Sequence, residues 1–143
     1  MEILSKSAAQ TKKIGARIGR ALKTGDVVAL TGDLGAGKTT LVKGIAAGLG
    51  VKEKDVASPT FVLIHEYEGR KKIYHIDWYR LKEISSTDRL LAEDCFNADA
   101  ITLVEWADRA LDLLPKHAIR VELKHKGESE RLICIASSAR SEA

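Results

Sequence analysis

The chain has 143 residues, and cysteine and proline are scarce in it, with two of each. Cys95 and Cys134 have no companions at metal-ligand spacing, so reduced thiols in a cytoplasmic protein are expected rather than a disulfide framework. No stretch approaches the roughly 18 consecutive apolar residues of a membrane span. Met1-Glu2-Ile3-Leu4-Ser5-Lys6 lacks the apolar core of a signal peptide. A large charge of one sign is also missing, and a net charge of +3 does not make the whole molecule a strong nucleic-acid magnet. Neither an internal repeat nor a linker is visible. With 45% hydrophobic residues, what remains is expected to form one domain over residues 1–143, with a frayed tail from about Ser137.

One stretch organises the rest. Gly32-Asp33-Leu34-Gly35-Ala36-Gly37-Lys38-Thr39-Thr40 fits the phosphate-binding pattern G-x-x-x-x-G-K-[ST] without a gap. It follows the apolar run Val27-Val28-Ala29-Leu30 and precedes Leu41, Val42, Ile45 and Leu49 at helical spacing, the strand–loop–helix context the motif requires. A helix N-terminus offers unpaired N–H groups and a partial positive charge to a polyanion. Gly35 and Gly37 let the backbone amides turn inward. Gly32, Gly35, Ala36, Gly37, Lys38, Thr39 and Thr40 are therefore the candidate nucleotide-binding residues. Lys38 would bridge the β- and γ-phosphates of ATP and the Thr39 hydroxyl would ligate Mg²⁺. Asp33 is expected to point away from the phosphates or toward water near the metal.

Around this loop the pattern predicts a first helix capped by Ser7, running to about Leu22 on the stripe Ile14, Ile18 and Leu22, and stopped by Thr24-Gly25. Lys12, Lys13, Arg17, Arg20 and Lys23 crowd its exposed side, either as a solvated face or as a docking surface for an acidic partner or RNA. In the phosphate-loop helix, Gly44 and Gly48 are expected to let one side approach the sheet. A hairpin is predicted from Phe61–Glu68 and Lys72–Asp77. A short helix is expected near Thr87–Leu91, then a buried strand at Ile101–Val104, a short helix ending before Pro115, and a closing hairpin of Ile119–Leu123 with Arg131–Ile135. The fold class is α/β, a P-loop NTPase-like three-layer fold with a mostly parallel central sheet plus antiparallel hairpins.

A phosphate loop needs a carboxylate at the end of a neighbouring strand for its metal. Glu105, after Ile101–Val104, fits better than Asp77, after the more mixed Ile73–Ile76. Asp77 then stands for the attacking-water side, or for a structural cap or a partner of Arg80. Thr60, beside the stiffening Pro59, sits where many NTPases place a threonine that closes on γ-phosphate, although an ordinary turn has the same spacing. Catalytic candidates are thus Lys38, Thr60, Asp77 and Glu105, and metal candidates Thr39 and Glu105. His65 and His75 show no ligand pattern and read as solvated or satisfied strand residues.

Gly32–Thr40, Ser58-Pro59-Thr60-Phe61, His75-Ile76-Asp77-Trp78-Tyr79-Arg80-Leu81 and Leu103-Val104-Glu105-Trp106, in this order and spacing, resemble the bacterial TsaE (YjeE) family of small P-loop ATPases. The resemblance runs from about Ser5 to Arg131. It implies a Mg²⁺-dependent ATPase needed for the threonylcarbamoyl modification of adenosine 37 (t6A) in tRNAs reading codons that start with A. It also implies work with TsaD and TsaB, whose complex is reset by ATP hydrolysis, and contact with tRNA through that complex. Thr60 and Asp77 would lie on the γ-phosphate side, and Trp106 and Arg131 near the nucleotide. Two departures stand out: Gln10-Thr11 replaces the usual Glu-Thr, and Leu91 stands where members often carry glycine, which bears on the backbone between Arg89 and Phe96. A small-molecule kinase would normally add a lid and an acceptor pocket, for which this length leaves little room. A non-hydrolysing nucleotide-gated module is the remaining alternative.

Overall fold

A computed structural model of the chain describes residues 1–32, 37–56, 64–78 and 84–137. Seven strands form one sheet: β1 (Glu2–Ser5), β2 (Val27–Gly32), β3 (Ile64–Glu68), β4 (Lys72–Asp77), β5 (Ile101–Glu105), β6 (Ile119–His125) and β7 (Arg131–Ser137). Their spatial order is β1-β7-β6-β2-β5-β4-β3. The middle is parallel, β6 with β2, β2 with β5 and β5 with β4. Antiparallel pairs close both sides, β3 with β4 on one and β6-β7-β1 on the other. The expected mostly parallel sheet with hairpins is what the chain forms.

Parallel strands covered on both faces become nearly continuous apolar runs, which is how β2 and β5 read. Helices α1 (Ala8–Ala21) and α2 (Lys38–Gly48) lie on one face, and α3 (Ser86–Asn97) with a 3-10 segment (Ala107–Leu113) on the other. Under α1 and α2, Ile14, Leu41, Val42 and Ile45 pack on Val28, Leu30, Leu103 and Val121. Opposite them, Ala92, Cys95 and Phe96 of α3 pack with Val27, Ala29, Ile76 and Val104. Both cysteines are free. No helix among the described residues is long and apolar enough to cross a membrane.

Four expectations need correction. Ser7 does cap α1, accepting from the Gln10 amide at 3.1 Å, but Gly44 and Gly48 face α1, not the sheet. A Cβ on Gly44 would lie 2.4 Å from the Lys12 carbonyl oxygen, and one on Gly48 would lie 2.3 Å from that of Ala16. Gly15 and Gly19 of α1 press equally closely on the α2 backbone. Second, α3 is a full twelve-residue helix, held by a capping box in which Ser85 and Asp88 satisfy each other's backbone amides. The substitution at Leu91 thus leaves a regular helix across residues 89–96. Third, the short β1 went unread. Fourth, Ser137 still belongs to β7, opposite Ile119; residues 138–143 lie outside the described set. The hairpin is as expected, but its predicted residues 61–63 also lie outside that set.

Candidate functional site

The sheet brings the C-terminal ends of β2, β4 and β5 together, the edge where open parallel sheets bind ligands. At the end of β2, Gly32 has φ +143° and its Cβ position lies 2.6 Å from the Leu123 carbonyl oxygen of β6, so no side chain fits. Asp33, Leu34, Gly35 and Ala36 lie outside the described residues. At Gly37 a φ of +99° opens α2 in a left-handed conformation that glycine adopts freely. The first turn of α2 carries no acidic residue. Its partial positive charge is therefore left for an anion to meet.

Lys38 is the first residue of α2, and it is only 5% exposed. Its ammonium donates to the Gly32 carbonyl across the loop and stands 3.8 Å from the centroid of the Trp106 ring. Trp106 follows β5 directly and has φ +60°, the sole positive φ of a non-glycine residue among those described. A residue held in this region costs on the order of 1–3 kcal/mol. The cost falls where the chain turns an aromatic face toward the lysine. Thr39 and Thr40 are half-buried on the same turn.

Two carboxylates complete the edge. The β4–β5 register sets Asp77 opposite Glu105, and the β2–β5 register sets Glu105 opposite Leu30. Glu105 is 1% exposed and Asp77 9%. Glu105 Oε2 lies 2.6 Å from His75 Nε2, and His75 Nδ1 lies 3.0 Å from the Tyr67 hydroxyl. His75 is thus a satisfied strand residue but not a solvated one. Its neighbour across the hairpin, His65, is half-buried and has its pKa lowered, first by desolvation and then by nearby His75, against an opposing pull from Asp77.

On the other side of α2, a cleft of about 250 Å³ is lined by Ser7, Thr11, Gly37, Thr40, Ser129 and Arg131 among others. The Arg131 guanidinium donates to the carbonyls of Gly127, Glu128 and Glu130, tying down the β6–β7 turn at the cleft. The structure therefore brings Gly32, Gly37, Lys38, Thr39, Thr40, Asp77, Glu105, Trp106 and Arg131 around one edge and the start of one helix. Thr60 and the Ser58-Pro59-Phe61 stretch, like Tyr79-Arg80-Leu81, fall outside the described residues. The buried Tyr67–His75–Glu105 chain was not anticipated. Side-chain parity carried the signal, since His75, Asp77 and Glu105 share a sheet face with Ile73 and Leu103. The basic side of α1 is largely exposed, apart from Lys12, which reaches Glu53 at 2.5 Å.

The donor set suits a hard cation. A hydroxyl such as that of Thr39 and one or two carboxylates, Glu105 and Asp77, are donors of the kind Mg²⁺ takes, an ion that keeps several waters and is bound through few protein ligands. Among the described residues no three His, Cys, Asp or Glu side chains form a closed cage. A zinc-type site is not what this donor set resembles.

Comparison with known proteins bears on the family and the fold. The family model "Threonylcarbamoyl adenosine biosynthesis protein TsaE" matches residues 5–133. The chain is 38% identical over 136 residues to the tRNA threonylcarbamoyladenosine biosynthesis protein TsaE of Treponema pallidum, covering 95% of this chain and 100% of the relative. It is 42% identical over 125 residues to the protein of the same name from Bacillus subtilis, covering 87% of this chain and 77% of the relative. The crystal structure of Bacillus subtilis YdiB matches with a TM-score of 0.80 at 32% identity, over 99% of this chain and 87% of that one.

Proposed function

The chain belongs to the TsaE family of threonylcarbamoyl adenosine biosynthesis proteins, and we propose that it is the Mg²⁺-dependent ATPase of t6A formation at adenosine 37 of tRNA. In this reading it binds ATP in the cytoplasm, docks on TsaD–TsaB, and hydrolyses ATP there to reset the complex between turnovers. The observation that carries the proposal is Lys38, held at the β2–α2 junction between the Gly32 carbonyl and the Trp106 ring, on the sheet edge where Asp77 and Glu105 end their strands.

Each residue has a physical task. Backbone amides of Gly35 to Thr40 and the positive end of α2 would receive the phosphates. The Lys38 ammonium would offset the charge that spreads over the γ-phosphoryl oxygens during transfer. Thr39 and Glu105 would hold Mg²⁺, which supplies electrostatic stabilisation of the phosphates when bound. Asp77 would orient the attacking water, with Thr60 closing from the γ-phosphate side. The cleft between Thr11, Thr40 and Arg131 adjoins the phosphate end and has room for part of a nucleoside. Site equipment of this kind, without an arginine-rich lid, suits an enzyme that is slow until its partners dock.

The test is phosphate release from ATP with and without TsaD–TsaB from the same source. Slow turnover alone, faster turnover with partners, and loss of both with Lys38→Ala are expected. Turnover of tens per second by the isolated chain would refute the partner-reset role. Phosphate appearing on a nucleoside or sugar instead of in water would make the protein a kinase. Tight ATP binding with no release under any condition would leave a nucleotide-gated module.

A further inference from the structure

We propose that His75 is a positioning residue that sets the orientation of the Glu105 carboxylate, with Tyr67 fixing the imidazole. The inference rests on the reading of Glu105 as the metal-side group. Glu105 is almost wholly buried, so water cannot define which of its oxygens faces outward. Its Oε2 is instead engaged by His75 Nε2 at 2.6 Å, and His75 is 1% exposed. A carboxylate only accepts, so the hydrogen of this bond sits on Nε2. In the neutral ring Nδ1 is then the acceptor for the Tyr67 hydroxyl, 3.0 Å away. The carboxylate thereby selects the tautomer and the hydroxyl fixes the ring plane, and the ring in turn commits Oε2 and leaves Oε1 as the oxygen available to a cation.

The backbone supports the same arrangement. His75 pairs with Leu103 in the β4–β5 ladder, two residues before Asp77 pairs with Glu105. The two side chains on the helix-covered face therefore meet along a diagonal fixed by strand register rather than by a mobile loop. Tyr67 belongs to the apolar core and is 7% exposed, so the far end of the chain is anchored as firmly as the near end. Outer partners of this kind commonly change metal affinity by about 10–100-fold when removed.

The test uses the whole chain and ADP, with calorimetric affinity measured once in excess Mg²⁺ and once in EDTA. His75→Gln carries its amide nitrogen as many bonds from Cβ as Nε2 and can still reach Glu105. His75→Asn places its nitrogen at the Nδ1 position and cannot. The factor by which Mg²⁺ tightens ADP binding should fall about tenfold in His75→Asn, with the affinity in EDTA unchanged. In His75→Gln most of that factor should return. An unchanged factor in His75→Asn overturns the proposal, as does an equal loss in EDTA for both variants, which would mark a purely structural histidine. A wild-type chain whose ADP affinity ignores Mg²⁺ would remove the metal-side reading of Glu105, and the proposal with it. Imidazole nitrogen-15 NMR of the wild type needs no variant to fold: the Nε2–H tautomer is expected, with a shift when Mg²⁺ joins ADP. The Nδ1–H tautomer overturns the proposal.

Discussion

Replacing Gly48 with alanine sets helix propensity against helix packing, and the structure decides between them. Propensity favours alanine by about 1 kcal/mol in a helix interior and by less at Gly48, the last residue of α2. The added Cβ, however, would lie 2.3 Å from the Ala16 carbonyl oxygen and 3.0 Å from its carbonyl carbon and Cα. Ordinary carbon–oxygen contacts begin near about 3.3 Å, so α1 and α2 must part by roughly 1 Å. The obstructing atoms are backbone, with no rotamer to yield. The overpacking cost should therefore sit near the upper end of about 1–3 kcal/mol. Net destabilisation is about 2 kcal/mol, and for a chain of this length the melting temperature should fall by roughly 6–8 °C. Exposed Ala47, one residue earlier, is the control: Ala47→Gly should lose about 1 kcal/mol by propensity alone. Thermal unfolding followed by circular dichroism measures both. Because α2 also presents Lys38 and Thr39, Gly48→Ala should weaken ADP binding while Ala47→Gly does so less. A Gly48→Ala protein as stable as the wild type, or more so, would refute the close helix crossing.

Glu105→Ala should reduce Mg²⁺-dependent turnover more than Asp77→Ala reduces Mg²⁺ binding; the reverse order, from hydrolysis and Mg²⁺ titrations, would exchange their roles. Phosphates drawing Lys38 off the indole should change the intrinsic fluorescence of Trp106, so Trp78→Phe should keep the ATP-induced signal and Trp106→Phe should lose it. His65 contributes a pH term of definite sign. Its folded pKa lies below the usual value of 6.5, so the unfolded chain takes up the proton first, and stability should fall as pH drops below about 6.5. His65→Gln should flatten that acid-side decline in melting temperature, and an unaltered slope would count against the burial argument.

Legibility followed the physics of each segment. Strands β2, β5 and β6 are readable because burial on both faces leaves a continuous apolar run and burial on alternate residues leaves an alternating one. The four residues of β1 carry too little pattern, since Glu2 is exposed while Ser5 is buried in a polar contact with Thr11 at 2.6 Å. The length of α3 was underestimated although Ser85 and Asp88 already spelled its capping box. Glycine spacing in α2 revealed a close approach but not its partner, because one helical face can meet either a sheet or another helix. At the site, Lys38 and Glu105 followed from motif and strand pattern. Trp106 over Lys38 and His75 on Glu105 depend on where a turn and a strand register place side chains far apart in sequence.

The placement of β1 also dictates an order of assembly. Among the described strands its partner is β7, and Glu2 lies opposite Cys134, 132 positions further along the chain. On a ribosome, β1 must wait for β7, on the order of ten seconds at about 5–20 residues per second. Through that interval α1 can form locally and the segments around α2 can begin to pack, but β1 has no template. Its brevity and the exposed Glu2 guard it against pairing with a neighbouring chain. The β1–β7 edge therefore closes late, after the segments that carry Lys38, Asp77 and Glu105 have been made.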